Sequence, residues 1–451
     1  MTGSFTGGAV SRARRRVGGT ADRFAPAGGL RRAVAVLAGG NVVAATIVAL
    51  SYPIVSRLYA PTEFGAFAAA VSLLSIVLTV TCLTYDLAVP LPEDDRTAGD
   101  LVILCGLATL VVSALSAAIM LTTGERLLGV FHAQGLAPYW WLLCLAQLCG
   151  GVGVALTGWA IRFRDFRDIA TARISQSVVT AIIQVAAGTG GAATSGLLAG
   201  DALGRTAQTA RLSRSATARL LRAVGETSVA RLRWAARRYR RFPLLGSWPT
   251  LINAIGFAAP LLLIVAFYGA HTGGLFAFAQ RLIGAPVALL VLAVSQVFVA
   301  EAARRARDGS ADLGALFRST LRRLALVAAP LMLALAIAAK FLVGTVFGQE
   351  WHDAGMYILI LAPLYTMQLL SSPLGGTLDV LERQDLLVVR EVARIVLIIA
   401  AIGIAELLSL PAVWAVVLLS GAGTLAYLVY GAITWHALMA HQRTRAARAG
   451  A

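Results

Sequence analysis

Lysine occurs once in 451 residues, at Lys340, and all charged residues together make up only 14% of the chain. Soluble proteins carry about 25%. With a mean hydropathy of +0.77, that shortage excludes a string of soluble domains and points to one integral membrane unit. Metal-ligand spacing is also missing. The four cysteines, Cys82, Cys105, Cys144 and Cys149, all lie inside apolar runs and read as small apolar packers. The five histidines, His132, His271, His352, His436 and His441, are scattered at or near expected helix ends. There is no nucleotide-binding loop, no HExxH and no GxSxG in a strand-to-helix context. The expectation is therefore a non-enzymatic protein with no cofactor and no bound metal. Any energy coupling would draw on an ion gradient or on substrate flux.

What the chain has is long uncharged runs. The first, Ala33 to Ser56, spans 24 positions, long enough as a helix to cross a hydrocarbon core of about 30 Å. A basic stretch precedes it, as in a signal peptide. The run is too long for an h-region, however, and Tyr52-Pro53 is a poor cleavage context, so it reads as a retained helix. Twelve helices are predicted, at 33–56, 65–86, 101–121, 139–160, 169–187 and 191–208, then 246–268, 274–300, 324–346, 355–378, 388–408 and 412–436. The fifth and sixth share one uncharged stretch of 27 residues, Ile174 to Gly200. Reading it as a single helix would put the next loop, with eleven arginines and one acid, on the wrong side. Two helices broken near Gly188-Thr189-Gly190-Gly191 avoid that violation.

The net charge of +17 does not imply nucleic acid, because the arginines sit in short blocks between apolar runs. The blocks alternate. One side holds Arg12 to Arg32, Arg162 to Arg173, Arg205 to Arg241, Arg304 to Arg323, Arg383 to Arg394 and the tail arginines; the other holds little beyond Arg57, Arg126 and Lys340. By the positive-inside rule the rich side is cytoplasmic and carries both termini. Arginine in place of lysine, with abundant Ala and Gly, suggests a GC-rich bacterial genome and hence a bacterial cytoplasmic membrane. The expected organisation is a basic arm at 1–32, a six-helix bundle at 33–208, a basic linker at 209–245, a second bundle at 246–437 and a tail at 438–451. The linker stretch Arg231 to Arg241 reads either as an amphipathic helix on anionic membrane lipid or as a solvated linker.

The halves share a pattern. Tyr59 precedes Gly65-Ala-Phe67-Ala68, and Tyr268 precedes Gly274-Leu-Phe276-Ala277, at an offset of 209 residues. Six intervening helices give both halves the same orientation, a parallel repeat about an axis along the membrane normal. The fold class expected is thus all-α, two six-helix bundles related by a pseudo-two-fold and flanking a central cavity.

Charges inside spans cost at least about 2.5–3.5 kcal/mol. Arg281 is the sharpest case, beside Gln280 and ahead of Pro286. Its side chain either snorkels to the outer interface or faces a cavity and binds an anion, and its planar fork suits a diphosphate. Asn253 is a candidate for substrate or for helix packing. Asp86 and Asp379, near helix ends, are candidates for ion coupling or gating against a boundary role.

Four stretches resemble the bacterial polysaccharide (O-antigen) flippases of the multidrug/oligosaccharidyl-lipid/polysaccharide exporter superfamily. They are Pro53-Ile-Val-Ser-Arg57-Leu-Tyr59-Ala-Pro61-Thr-Glu63-Phe64-Gly65-Ala-Phe67, Tyr85-Asp86-Leu-Ala-Val-Pro90-Leu-Pro92, Tyr239-Arg-Arg-Phe242-Pro243 with Asn253 following, and Gly274 to Pro286. Phe276 and Ala277 stand where that family shows Tyr and Ser. The resemblance implies alternating access, and as substrate an undecaprenyl-diphosphate-linked oligosaccharide moved to the outer leaflet for surface polysaccharide, lipopolysaccharide included. It implies a cationic cavity, with Arg281 carried over to that role. Glycosyltransferases and a polysaccharide polymerase are the partners it implies. Competing readings are a multidrug or cation antiporter of the same superfamily, a membrane scaffold for polysaccharide enzymes, and a peptidoglycan-precursor flippase.

Overall fold

A computed structural model of the chain describes residues 27–225, 227–307, 313–377 and 384–449. The N-terminal arm up to residue 26 and the candidate Asp379 lie outside the described residues. Within them the chain is helical, as expected, and no residue is in a strand. The first half contains α1 (Ala27–Leu58), α2 (Pro61–Thr81), α3 (Asp95–Val130), α4 (Trp140–Arg162), α5 (Phe166–Thr189) and α6 (Ala193–Val224). A short surface helix, α7 (Val229–Arg238), leads to the second half. There a continuous helical stretch, Ser247–Arg307, breaks at Gly269 into α8 (247–268) and α9 (270–307). Then follow α10 (Leu313–Phe347), α11 (His352–Ser371), α12 (Gln384–Leu407) and α13 (Ala412–Ala449).

Nine segments among the described residues are apolar and long enough to cross a membrane. One of them, Phe242–Ala302, contains both α8 and α9. α6 and α12 are long helices that are not among the nine. The pattern is the expected six and six.

Local chemistry explains the breaks. α2 starts on Pro61, whose missing N–H costs nothing in the first turn, and the Glu63 carboxylate accepts the Ala60 N–H at 3.0 Å. α5 stops at Gly190, and Gly191 takes a φ of +74°, which permits the turn into α6. This is the break expected between Gly188 and Gly191. The second helix differs from expectation: it ends at Thr81, not 86, because Leu83 and Thr84 adopt positive φ. α6 continues to Val224, past the expected 208. The ends of arginine-bearing helices are tied by ion pairs, Arg162 to Asp95 at 2.8 Å and Arg219 to Asp165 at 2.6 Å. Buried Asp100 on α3 accepts both Nε and Nη2 of Arg231, at 3.1 and 3.0 Å, and so pins α7.

The apolar cores show how the halves meet. One cluster is shared. It joins Val55 to Leu74, Leu128 to Ala146 and Leu197 to Ala202 of the first half with Ala258 to Val287, Ala328 to Leu370 and Ile398 to Leu419 of the second. These segments lie toward the arginine-poor end. At the arginine-rich end the halves keep separate cores, one around Cys82, Leu101, Trp159 and Leu212, the others around Phe298, Phe317, Tyr430 and Leu438. The bundles share a core at one end and keep separate cores at the other, where Thr84 Oγ1 of the first half bonds the Phe242 carbonyl at 2.7 Å and meets Ser247 Oγ of α8 at 3.3 Å.

Candidate functional site

The contact that closes the arginine-poor end is a crossing of α2 with α9. A Cβ on Gly65 would strike the Ala270 carbonyl oxygen, and one on Gly274 would strike the Pro61 carbonyl oxygen. Gly274 is Gly65 shifted by the 209-residue repeat, and Ala270 is Pro61 shifted by the same amount. The two close approaches are therefore two-fold partners, and the pseudo-two-fold axis runs between the two glycines. Only glycine lets backbones come this near.

An aromatic layer lies beside the crossing. Phe64 and Phe278 pack edge-on at 6.2 Å, each meets Trp351 (5.5 and 4.5 Å), and Phe347 sits 5.0 Å from Phe278. Hydrogen bonds fasten α1 to the second half here. Trp351 Nε1 donates to the Ser56 carbonyl at 2.7 Å, Ser56 Oγ donates to the Phe347 carbonyl at 2.9 Å, and Arg57 Nη2 donates to the Val346 carbonyl at 3.1 Å.

Arg281 is on α9, adjoining this layer. Its Nη1 donates to the Tyr52 hydroxyl of α1 at 2.8 Å, and its guanidinium carbon lies 5.5 and 5.9 Å from the ring centres of Phe64 and Phe67 on α2. Asp201 on α6, itself paired with Arg205 at 2.7 Å, is within electrostatic reach. Every one of these partners belongs to the first half, yet the side chain stays exposed. An arginine so tethered reaches from the second half to the first across the interface. The fork is stacked and oriented but keeps donors available, as phosphate recognition requires.

Asn253 does not join Arg281. It lines a separate cavity of about 320 Å³ in the second half, with Phe257, Gln368, Ser372, Glu391, Arg394 and the tyrosines of α13. Asp86 sits in the short turn Tyr85–Ala88 at the arginine-rich end, far along the chain's axis from Arg281, where burial pushes its carboxyl above the usual range against the pull of its own and the Leu87 backbone N–H. Reading the residues one at a time missed Tyr52, which anchors Arg281, and the Glu391–Arg394 pair on α12. That pair is three residues apart within the expected eleventh helix, a signal passed over because both residues sit near its arginine-rich end.

The lipid II flippase MurJ, in an inward closed conformation, aligns with a TM-score of 0.71 at 11% identity, covering 88% of this chain and 86% of that one. A multidrug resistance MATE family transporter of the MOP superfamily, in an inward-facing conformation, aligns with a TM-score of 0.62 at 14% identity, covering 89% and 96%. At these identities the likeness is one of fold. The chain belongs to the polysaccharide biosynthesis protein family, whose sequence model matches residues 54–356. Two curated relatives are the succinoglycan biosynthesis transport protein ExoT of Rhizobium meliloti (strain 1021), 27% identical over 69% of this chain, and the teichuronic acid biosynthesis protein TuaB of Bacillus subtilis (strain 168), 28% identical over 30% of it. The matches span 61% and 28% of the lengths of those two relatives.

Proposed function

We propose that this protein is a flippase that carries an undecaprenyl-diphosphate-linked oligosaccharide from the cytoplasmic to the outer leaflet for surface polysaccharide synthesis, by alternating access. The observation that carries the reading is Arg281, exposed between halves that share a core at one end only. With the arginine-rich face cytoplasmic, the space between the bundles opens to the leaflet where such lipids are made. The diphosphate meets Arg281 at the deep end, against the closed aromatic layer. Closure at the cytoplasmic end then requires the Gly65–Gly274 crossing to part, and the pseudo-two-fold along the membrane normal relates the movement of one bundle to that of the other. The family match and the relative named for succinoglycan transport support the same reading.

Purified protein in liposomes should move a fluorescent polyprenyl-diphosphate sugar across the bilayer, and Arg281→Gln should slow it. Absence of movement under proton, sodium and substrate gradients alike would end this reading. The MATE-like fold favours a second one, export of organic cations. It predicts acids free to bind a cation in the interface; Arg281 stands there, and the acid within its reach, Asp201, is paired with Arg205. Resistance to cationic dyes on expression would revive it. Glycosyltransferases and a polymerase are the partners the flippase reading entails, and co-purification with them from the native membrane checks it.

A further inference from the structure

The cavity that Asn253 lines is larger than one helix gap. A second cavity of about 220 Å³ shares Phe257, Gln368, Arg394 and Tyr427 with the first, of about 320 Å³, and adds Gln280, Tyr365 and the glycines 256, 284 and 423. Together they reach the size of small-ligand sites, about 300–1,000 Å³. Walls come from α8, α9, α11, α12 and α13.

The lining is specific. The Arg394 guanidinium carbon lies over the Phe257 ring, 4.3 Å from its centre. Gly256 makes room for it, since a Cβ there would meet Nη2 at 2.9 Å. Nη2 sits 2.7 Å from the Glu391 carboxylate, off the line of a hydrogen bond, and neither Nε nor Nη2 has a hydrogen-bond partner among the described residues. The pair is nearly buried, with side chains 12% and 14% exposed. Because Glu391 offsets the charge, the cavity suits neither a free anion nor a metal cation. It offers a rigid fork together with the amides of Asn253, Gln368 and Gln280, each both donor and acceptor, and the Ser372 hydroxyl. A neutral polyol ring matches that mixture. Polar groups of this kind inside a membrane bundle are functional by default.

Position adds a second argument. Gln280 lines the cavity and is the residue before Arg281, so the two sites occupy neighbouring faces of one turn of α9. A sugar bonded directly to a diphosphate has to sit about that close to the phosphate anchor.

We propose that this cavity is the glycan subsite: it holds the first, neutral pyranose of the lipid-linked oligosaccharide while Arg281 holds the diphosphate. The inference rests on the flippase reading and is tested so that the two can fail separately. The intact protein in nanodiscs is titrated with undecaprenyl diphosphate and with its glucose, galactose and N-acetylglucosamine conjugates. At least one conjugate should bind about tenfold tighter than the bare lipid. Gln368→Leu and Asn253→Leu should each erase most of that increment and leave bare-lipid affinity unchanged, whereas Arg281→Gln should weaken both lipids alike. Arg394→Lys, which keeps the charge and loses the fork, should also erase the increment. A monodisperse gel-filtration peak and an unchanged thermal unfolding midpoint in detergent certify that each variant is folded; Ser372→Ala serves as a milder substitute for one that is not. Equal binding of bare and glycosylated lipid, or loss of bare-lipid binding in folded Gln368→Leu, overturns the subsite and leaves the flippase reading standing. Failure of the unmodified protein to bind any of the four lipids overturns both.

Discussion

The two halves are copies in backbone and opposites in chemistry. At the 209-residue offset, Gly65 matches Gly274 and Phe67 matches Phe276, but Arg281 matches Ser72, Arg394 matches Val185 and Asn253 matches Ala44. Even the shared corner is made differently. The first half turns it with Pro61 at the start of α2, the second with Gly269 at a φ of +84°. Tyr59 donates to the Gln184 carbonyl at 2.8 Å, while the hydroxyl of its counterpart Tyr268 is buried without a partner among the described residues. The duplicated features are those that let two bundles meet and part about an axis. The unduplicated ones are polar groups that cost energy in a membrane, and a single substrate needs them only once. Both halves build the closure and its aromatic layer, whereas Arg281, Arg394 and Asn253 of the second have no charged or amide counterpart at the matching positions of the first.

The sharpest way to break the symmetry is at the crossing. Gly65→Leu and Gly274→Leu should each abolish transport, since backbone on the opposite helix leaves no space for any side chain. Cysteine cross-linking across α2 and α9 should show the arginine-poor end held open in both. Gly106→Leu, at a glycine with open space around it, should transport normally. Equal transport by all three would refute the axis. Next comes Arg281→Gln, expected to lower transport by about tenfold or more, the loss of a charge-assisted hydrogen-bond anchor. Adding Ser72→Arg, which places the charge on the symmetric position, should not restore it. Rescue would mean that the halves are chemically interchangeable.

The linker contributes less. Asp100→Ala removes the buried acceptor of Arg231 and should destabilise the protein by about 2 kcal/mol, measured by thermal unfolding in detergent, with little effect on transport in the surviving fraction. The smallest effect concerns Asp86. Its carboxyl is raised in the folded state by burial, so the folded protein binds this proton more readily than the unfolded chain does. Its contribution to stability is fully present below the ordinary value of 3.8 and is lost as pH rises through the raised one. Asp86→Asn should therefore be slightly more stable than the parent at neutral pH, and the difference should vanish on acidification. A variant less stable at neutral pH would mean that the carboxylate has a partner it needs.

Much of this was legible in the residues one after another. Charge-free length marked the spans, Gly190 and Gly191 marked the break between α5 and α6, and the Gly65/Gly274 repeat marked two halves. Arg281 stood out because arginine inside an apolar run is rare. The partners were not legible. Tyr52 lies 229 positions from Arg281, and Phe257 lies more than a hundred from Arg394. No local periodicity records such pairings. Asn253 and Arg281 look like one site in a sequence and are two faces of a bundle in space.

The sequence by itself determined what solvent the chain lives in, how many times it crosses, and that it was built twice, because hydrocarbon thickness and the cost of bare charge act on each segment independently. Tertiary structure alone decided that the bundles join at the arginine-poor end, that Arg281 reaches Tyr52 of the other half, and that Asn253 lines a cavity with Arg394. Those outcomes depend on which helix faces touch, and helix packing is settled by the fit of distant surfaces to one another.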